Sequence, residues 1–172
     1  MKKSNRNIFL VGLMGAGKTT IGKRLAQTLA RPFYDSDHVI CEKTGVSIPT
    51  IFELEGEQGF REREACTIED LTRENGIVLA TGGGVVLRED NRQRLRERGL
   101  VIYLHACPTV LLERTRCDKN RPLLQVDNPL AKLQTLYQAR DPIYRQTAHA
   151  VIEGGEGGCH KTIENILKFL QE

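Results

Sequence analysis

The 172-residue chain has no long hydrophobic run, and nothing in it approaches the roughly 20 apolar residues of a membrane-spanning helix. The opening Met-Lys-Lys-Ser-Asn-Arg-Asn is not followed by the apolar core of a secretory signal, because residues 8–11 run straight into Gly12. Aromatic residues are scarce at 5% and the formal net charge is only +3, too little stacking surface and too little charge for a nucleic-acid-binding module. The five cysteines are an odd number without a C-x-x-C pair, which argues for free thiols rather than disulfides or zinc. Cys159 and His160 are adjacent, a poor spacing for metal ligands, so their pairing reads as incidental. These absences leave a cytoplasmic protein with no membrane or nucleic-acid partner as the expectation. The length fits a single domain with a substantial core.

What the chain does have is a phosphate-binding pattern near its start. Residues 8–11 form a short apolar run that reads as a buried parallel strand. Gly12, Gly17, Lys18 and Thr19 then fit G-x-x-x-x-G-K-[ST]. Glycines, Gly15 among them, let the backbone turn left-handed and approach a ligand, so that its N–H groups form an anion nest. Lys18 adds a mobile positive charge for the outer phosphates. The Thr19 hydroxyl suits Mg²⁺, which prefers oxygen ligands. Ile21, Leu25 and Leu29 predict a helix beginning near Lys18, with its positive end aimed at the same place.

Helical and strand patterns alternate beyond the loop, which predicts an α/β fold around a parallel sheet. Strands are expected at 33–34, 77–80, 100–104 and 148–152. Helices are expected at about 37–44, 48–55 (capped by Ser47), 57–74, 88–98, 108–116 and 130–140, with an amphipathic closing helix marked by Ile163, Ile166, Leu167 and Leu170. Pro142 is expected to end the sixth of these just after Arg140. Residues 117–128 read as a mobile loop whose only core candidates are Leu123, Leu124 and Val126. Gly154-Gly155-Glu156-Gly157-Gly158 reads as a flexible turn.

Chemistry-bearing residues cluster just after expected strands, and in a parallel sheet those ends share one edge where ligands bind. Asp35 and Asp37 flank Ser36, and an extended chain would turn both carboxylates to one side. One could hold Mg²⁺ and the other face a substrate hydroxyl, whereas a plain helix cap is the alternative. Thr81-Gly82-Gly83-Gly84 offers bare backbone to an anionic or hydroxylated substrate, or forms a tight turn. Arg61 and Glu64 share a helix face next to Phe60, as a site pair or as a surface ion pair of little worth. Leu133, Leu136, Tyr137 and Arg140 fall on one helical side, so Arg140 is expected to point inward and to need a protein or ligand carboxylate. Arg121, in the loop, is a candidate to neutralise a transferring phosphate.

With these segments in hand, the chain resembles the shikimate kinases over nearly its whole length. The matching stretches are Gly-Leu-Met-Gly-Ala-Gly-Lys-Thr-Thr-Ile-Gly (12–22), Asp-Ser-Asp (35–37), Ile-Phe-Glu (51–53) and Gly-Glu-Gln-Gly-Phe-Arg-Glu-Arg-Glu (56–64). Ala-Thr-Gly-Gly-Gly (80–84), Arg-Pro-Leu-Leu (121–124) and Ala-Arg-Asp-Pro-Ile-Tyr (139–144) complete the set. A phosphate loop alone is shared by many folds, but the set in this order is specific. The resemblance implies a nucleoside-monophosphate-kinase-like P-loop fold: one domain over 1–172, a five-stranded parallel sheet with helices on both faces, a substrate-binding helical segment at about 35–64 and a mobile lid at about 115–129. It implies transfer of the ATP γ-phosphate to the 3-hydroxyl of shikimate, giving shikimate 3-phosphate and ADP, a step in chorismate and aromatic amino acid biosynthesis.

The resemblance also implies roles. Gly15, Ala16, Gly17, Lys18, Thr19, Thr20, Arg114 and Arg121 would bind ATP, with Lys18 on the β- and γ-phosphates, Arg114 on adenine and Arg121 as the lid arginine. Thr19 and Asp35 would position Mg²⁺. Asp37 would bind the shikimate hydroxyls and is the candidate base. Arg61 and Arg140 would clamp the shikimate carboxylate, with Glu64 orienting Arg61. Gly82, Gly83 and Gly84 would line the substrate, and Phe52 and Phe60 would pack on its ring. The enzyme is expected to be a monomer whose partners are ATP and shikimate. The 154–158 stretch departs from the family, which often carries proline or arginine there near adenine. On charge alone the inward arginines suit gluconate as well as shikimate, so a gluconate or nucleotide kinase of this fold is the alternative that only the motif set separates. A nucleotide-dependent switch would need Asn-Lys-x-Asp, and Asp118-Lys119-Asn120 carries similar letters in the wrong order.

Overall fold

The apolar runs become the strands of one parallel sheet in the computed structural model, which describes residues 5–115, 124–154 and 158–172. The strands are β1 (Asn7–Val11), β2 (Phe33–Asp35), β3 (Val78–Ala80), β4 (Gly99–His105) and β5 (Ala150–Glu153), arranged in the order β2-β3-β1-β4-β5. All neighbouring pairs are parallel, with Leu10 opposite both Ala80 and Ile102. Central β1 is buried along its whole length, as a strand covered on both faces must be. Its first residue, Asn7, is polar and still buried. The side chain remains satisfied by donating to Glu74 O (2.7 Å) and accepting from Ile77 N (3.0 Å).

The helices are α1 (Lys18–Leu29), α2 (Ser36–Thr44), α3 (Ile48–Thr72), α4 (Glu89–Arg98), α5 (Pro108–Thr115), α6 (Pro129–Thr147) and α7 (Gly158–Gln171). A 3₁₀ turn, Val85–Leu87, precedes α4. α1 packs with α7, while α4 packs with α3 and α6, giving two helical layers around the sheet. Ile21 and Leu25 seat α1 on the core, each such burial contributing about 1.5–3 kcal/mol. Gly17 caps that helix at φ 93°, a left-handed conformation open to glycine, and so lets the chain turn from loop to helix axis. Among the described residues no helix is long and apolar enough to cross a membrane.

Two expectations need correction. Pro142 does not end α6: the helix runs on to Thr147. A mid-helix proline costs about 3 kcal/mol or more, and the buried Tyr144 and Thr147 just beyond it offset that loss. The helices expected at 48–55 and 57–74 are both present as the two arms of α3, which meet at Gly56, whose φ 73° and ψ −179° redirect the axis. Val126 is half-exposed rather than a core residue, whereas Leu124 is buried. Leu123 lies outside the described residues, as do most of the stretch expected as a lid and the middle of the 154–158 turn.

Candidate active site

Because every strand runs the same way, the ends of β1, β2, β3 and β5 bring the phosphate loop, Asp35, Thr81 and Gly154 to one edge. They line a cleft of about 1380 Å³ whose walls include Gly15, Ala16, Gly17, Lys18, Thr19, Thr20, Asp35, Asp37, Gly82, Gly83 and Arg114. Lys18 Nζ donates back to the loop carbonyls of Gly12 (2.6 Å) and Leu13 (3.0 Å). Arg114, in the last turn of α5, donates to Gly15 O (3.2 Å), so α5 braces the loop from its outer side.

Asp35 carries both roles that the sequence left as alternatives. Its Oδ1 caps α2, accepting from the N–H groups of Asp37 (3.0 Å) and His38 (3.3 Å). Its Oδ2 accepts from Thr19 Oγ1 at 2.5 Å. Because α2 starts directly after this cap, Asp37 stands in a helical first turn, and the expected strand-like alternation of the two carboxylates does not occur. The helix turns Asp37 toward Gly82 instead. A Cβ placed on Gly82 would lie 2.9 Å from Asp37 Oδ1 and 2.7 Å from Glu64 Oε2.

Of the other two glycines of the turn, Gly84 is as crowded, while Gly83 has space for a Cβ in ordinary contact. A Cβ on Gly84 would coincide with the Arg61 guanidinium, and one on Gly83 would lie 3.5 Å from Arg140 Nη1 and 3.6 Å from the phosphate-loop atoms Gly12 O and Met14 N. None of the three has a positive φ, so at Gly82 and Gly84 glycine serves space and not backbone conformation. The turn is thus the meeting point of α2 (Asp37), α3 (Arg61 and Glu64), α6 (Arg140) and the phosphate loop. The Gly82 N–H donates to the buried Ser36 Oγ (3.1 Å), which ties the turn to the start of α2.

The electrostatics of this cluster are those of a dry site. Glu64 is fully buried, and its Oε1 accepts from Arg61 Nη1 at 2.9 Å, so the surface-pair alternative does not hold. Burial pushes the Glu64 carboxyl up to about 7; Arg61 and Arg140 pull it down, while Asp37 adds to the rise. Arg61 also reaches Glu57 Oε1 (3.3 Å) and stacks 5.2 Å above the Phe60 ring, which packs on Phe52 with centroids 5.0 Å apart. Both phenyl rings belong to a small apolar cluster with Ile40, Ile48 and Ile51. Arg140 is 4% exposed, and its Nη1 has no hydrogen-bond partner. Glu64 Oε2 and Arg61 Nε are likewise buried without a partner. Orphaned polar groups of this kind are costly unless a ligand satisfies them.

Sequence reasoning missed Ser36, treated only as a spacer, and Tyr144, excluded by the expected helix end at Pro142. For Tyr144 a signal did exist, since it continues the Leu133, Leu136, Arg140 face by one more turn. Arg121 and its neighbours Arg116 and Lys119 lie outside the described residues.

Known proteins resemble this chain in sequence and fold. The family model described as shikimate kinase matches residues 14–171. The shikimate kinase of Dechloromonas aromatica is 61% identical over 96% of this chain and 88% of its own length. That of Neisseria meningitidis serogroup C is 58% identical over 99% of both. Among solved structures, shikimate kinase from Acinetobacter baumannii in complex with shikimate superposes with a TM-score of 0.96 at 50% identity, covering 98% of this chain and 94% of that one.

Proposed function

The chain belongs to the shikimate kinase family, and from that premise we propose how its own residues carry the ATP-dependent phosphorylation of shikimate. The γ-phosphate of ATP passes to the 3-hydroxyl of shikimate, giving shikimate 3-phosphate and ADP on the route to chorismate and the aromatic amino acids.

Such a transfer leaves little covalent work for the protein and rests on positioning and charge stabilisation. Lys18 exchanges the carbonyls of Gly12 and Leu13 for the outer phosphates, which the N–H groups of residues 15–20 cradle. Thr19 Oγ1 and Asp35 Oδ2, 2.5 Å apart beside the loop, are hard oxygen donors that fit Mg²⁺ directly or through water. The ion, when bound, neutralises charge on the phosphates. Arg114 faces the nucleotide end of the cleft. Asp37 orients the acceptor hydroxyl and accepts its proton. Arg61, aimed by Glu64, and Arg140 take the substrate carboxylate, with Gly82–Gly84 as the surface it lies on and Phe52 and Phe60 behind its ring. Arg121 completes the nucleotide site on the strength of the family resemblance.

One observation carries this reading: the buried Arg140 guanidinium has an unpartnered Nη1 beside Gly83, against the phosphate loop. A planar ligand carboxylate satisfies such a group in two parallel hydrogen bonds. The structure of the Acinetobacter baumannii enzyme with shikimate, at 50% identity, supports the choice of ligand. The proposal includes a monomer working in the cytoplasm as one kinase domain, with the substrate segment at about 35–64. The test is a coupled ADP-release assay with shikimate, gluconate and the nucleoside monophosphates as acceptors. Shikimate is expected to be used far better than the rest. Faster turnover of gluconate or of a nucleotide would overturn the acceptor assignment.

A further inference from the structure

Tyr144 closes the 139–144 stretch without a role assigned to it, yet it touches the centre of the acceptor site. It stands one turn beyond Arg140 on α6 and is fully buried. Its hydroxyl donates to the carbonyl of Gly83. The same oxygen interacts with the Arg140 guanidinium, so it links that arginine, whose Nη1 is unpartnered, to the glycine turn. The ring cannot slide. Tyr103 stacks on it at 4.8 Å and 31°, and the Tyr103 hydroxyl is anchored on Asp141 Oδ1 (2.8 Å). Asp141 is in turn held by Arg145 Nε at 3.1 and 3.0 Å. His105 meets Tyr103 edge-on at 5.7 Å. Both of its nitrogens are engaged, one by Glu153 and the other by Tyr137, each at 2.7 Å.

The backbone alone would hold Arg140 less firmly. Pro142 lacks the N–H that would bond the Gln138 carbonyl one turn back along α6, so the helix is weakened in the turn that carries Arg140. A side-chain tie to a neighbouring element replaces that bond. We propose that Tyr144 is a positioning residue for the acceptor: its hydroxyl, fixed at the end of a locked aromatic stack and tied to the Gly83 carbonyl, sets the glycine turn and Arg140 where the shikimate carboxylate is received. This rests on the assignment of Arg140 to that carboxylate. Tyr144 acts on shikimate and leaves the nucleotide half of the cleft alone.

Calorimetric titration of the full chain with shikimate and, separately, with ATP tests this in the variants Tyr144→Phe, Tyr103→Phe and Arg140→Lys. Tyr144→Phe keeps the ring and loses one buried hydrogen bond, so shikimate binding should weaken about tenfold while ATP binding stays within about twofold. Tyr103→Phe loses a bond of similar kind without touching Gly83 and should lower the melting temperature with shikimate affinity retained. Parent-like shikimate affinity in Tyr144→Phe, beside a loss in Arg140→Lys, overturns the positioning role and leaves the carboxylate site standing. Parent-like affinity in Arg140→Lys overturns the carboxylate site, and the role of Tyr144 with it. Equal losses for ATP and shikimate, or a matching loss in Tyr103→Phe, would mean general loosening and also refute the proposal. Should Tyr144→Phe not fold, 3-fluorotyrosine at position 144 retains ring and hydroxyl but makes the O–H more acidic. A shikimate Kd altered about threefold or more with ATP unchanged then supports the role, and unaltered affinities for both refute it.

Discussion

Replacing Glu64 by glutamine should change how stability depends on pH, and the structure sets both sign and size. The carboxyl is fully buried and is pushed up to about 7 from an ordinary 4.5, chiefly by burial. The folded state therefore holds the Glu64 proton across an interval in which the unfolded chain has released it. The stability gained is complete below the unfolded value, shrinks as pH rises, and is gone above about 7. At about 1.4 kcal/mol per pH unit, the interval amounts to roughly 3 kcal/mol. The amide of Glu64→Gln can still accept from Arg61 but does not titrate. Urea unfolding of parent and variant between about pH 5 and 8, at constant denaturant slope, gives the comparison. The parent should lose about 2.5 kcal/mol relative to the variant across that range, the remainder of the interval lying below pH 5. Shikimate supplies a second readout. Its carboxylate adds negative charge near Glu64 and occupies Arg61, and both raise the Glu64 pKa further, so binding near neutral pH should take up a proton. Calorimetry in buffers of different ionisation heat would detect that uptake in the parent and not in Glu64→Gln. A stability difference that stays flat from pH 5 to 8 within about 0.5 kcal/mol would refute the account of a protonated buried carboxyl.

Other perturbations separate the parts of the site. Lys18→Ala should lower kcat at least about a hundredfold with an unchanged melting temperature, because the ammonium serves charge that develops during transfer; comparable turnover in a folded variant would remove the lysine from the mechanism. Asp37→Asn should bind ATP normally and lose transfer, since the amide cannot accept the hydroxyl proton, and ATP titration alongside single-turnover assay distinguishes the two effects. Gly84→Ala places a methyl where the Arg61 guanidinium lies, so it should cost about 1–3 kcal/mol of stability and raise the shikimate KM while sparing that for ATP. A Gly84→Ala enzyme with parental shikimate KM would show that Arg61 has room to move.

The parts legible in the sequence are those written locally. Strand, loop and helix lie within residues 7–29 and carry their own dihedral and charge requirements, so the phosphate loop could be read directly. The glycine turn was visible as three glycines, but the reason for them was not: the groups that fill their missing side-chain space come from α2, α3 and α6, far away along the chain. The arrangement of Asp35 and Asp37 was misread because a residue that caps a helix ends strand alternation at that point. Pro142 was misread because a local rule yielded to tertiary burial one turn later. Buried Asn7 and Asn91 gave no signal, since their partners are backbone groups on neighbouring elements, such as Val85 O for Asn91 (3.0 Å).

The crowding around Gly82–Gly84 has a consequence for laboratory evolution of this scaffold. The first and third glycines are blocked by charged side chains, so a single step away from glycine meets an obstacle there: Glu64 and Asp37 at Gly82, Arg61 at Gly84, whereas Gly83 has room for a Cβ beside Arg140. Libraries randomised at Gly82 and Gly84 alone should therefore return mostly parental sequence. Routes to a new acceptor start on the helices, where shortening Arg61 or Glu64 first opens a gap that a later change at Gly84 or Gly82 can occupy. The order of substitutions, and not only their identity, decides which specificities this protein can reach.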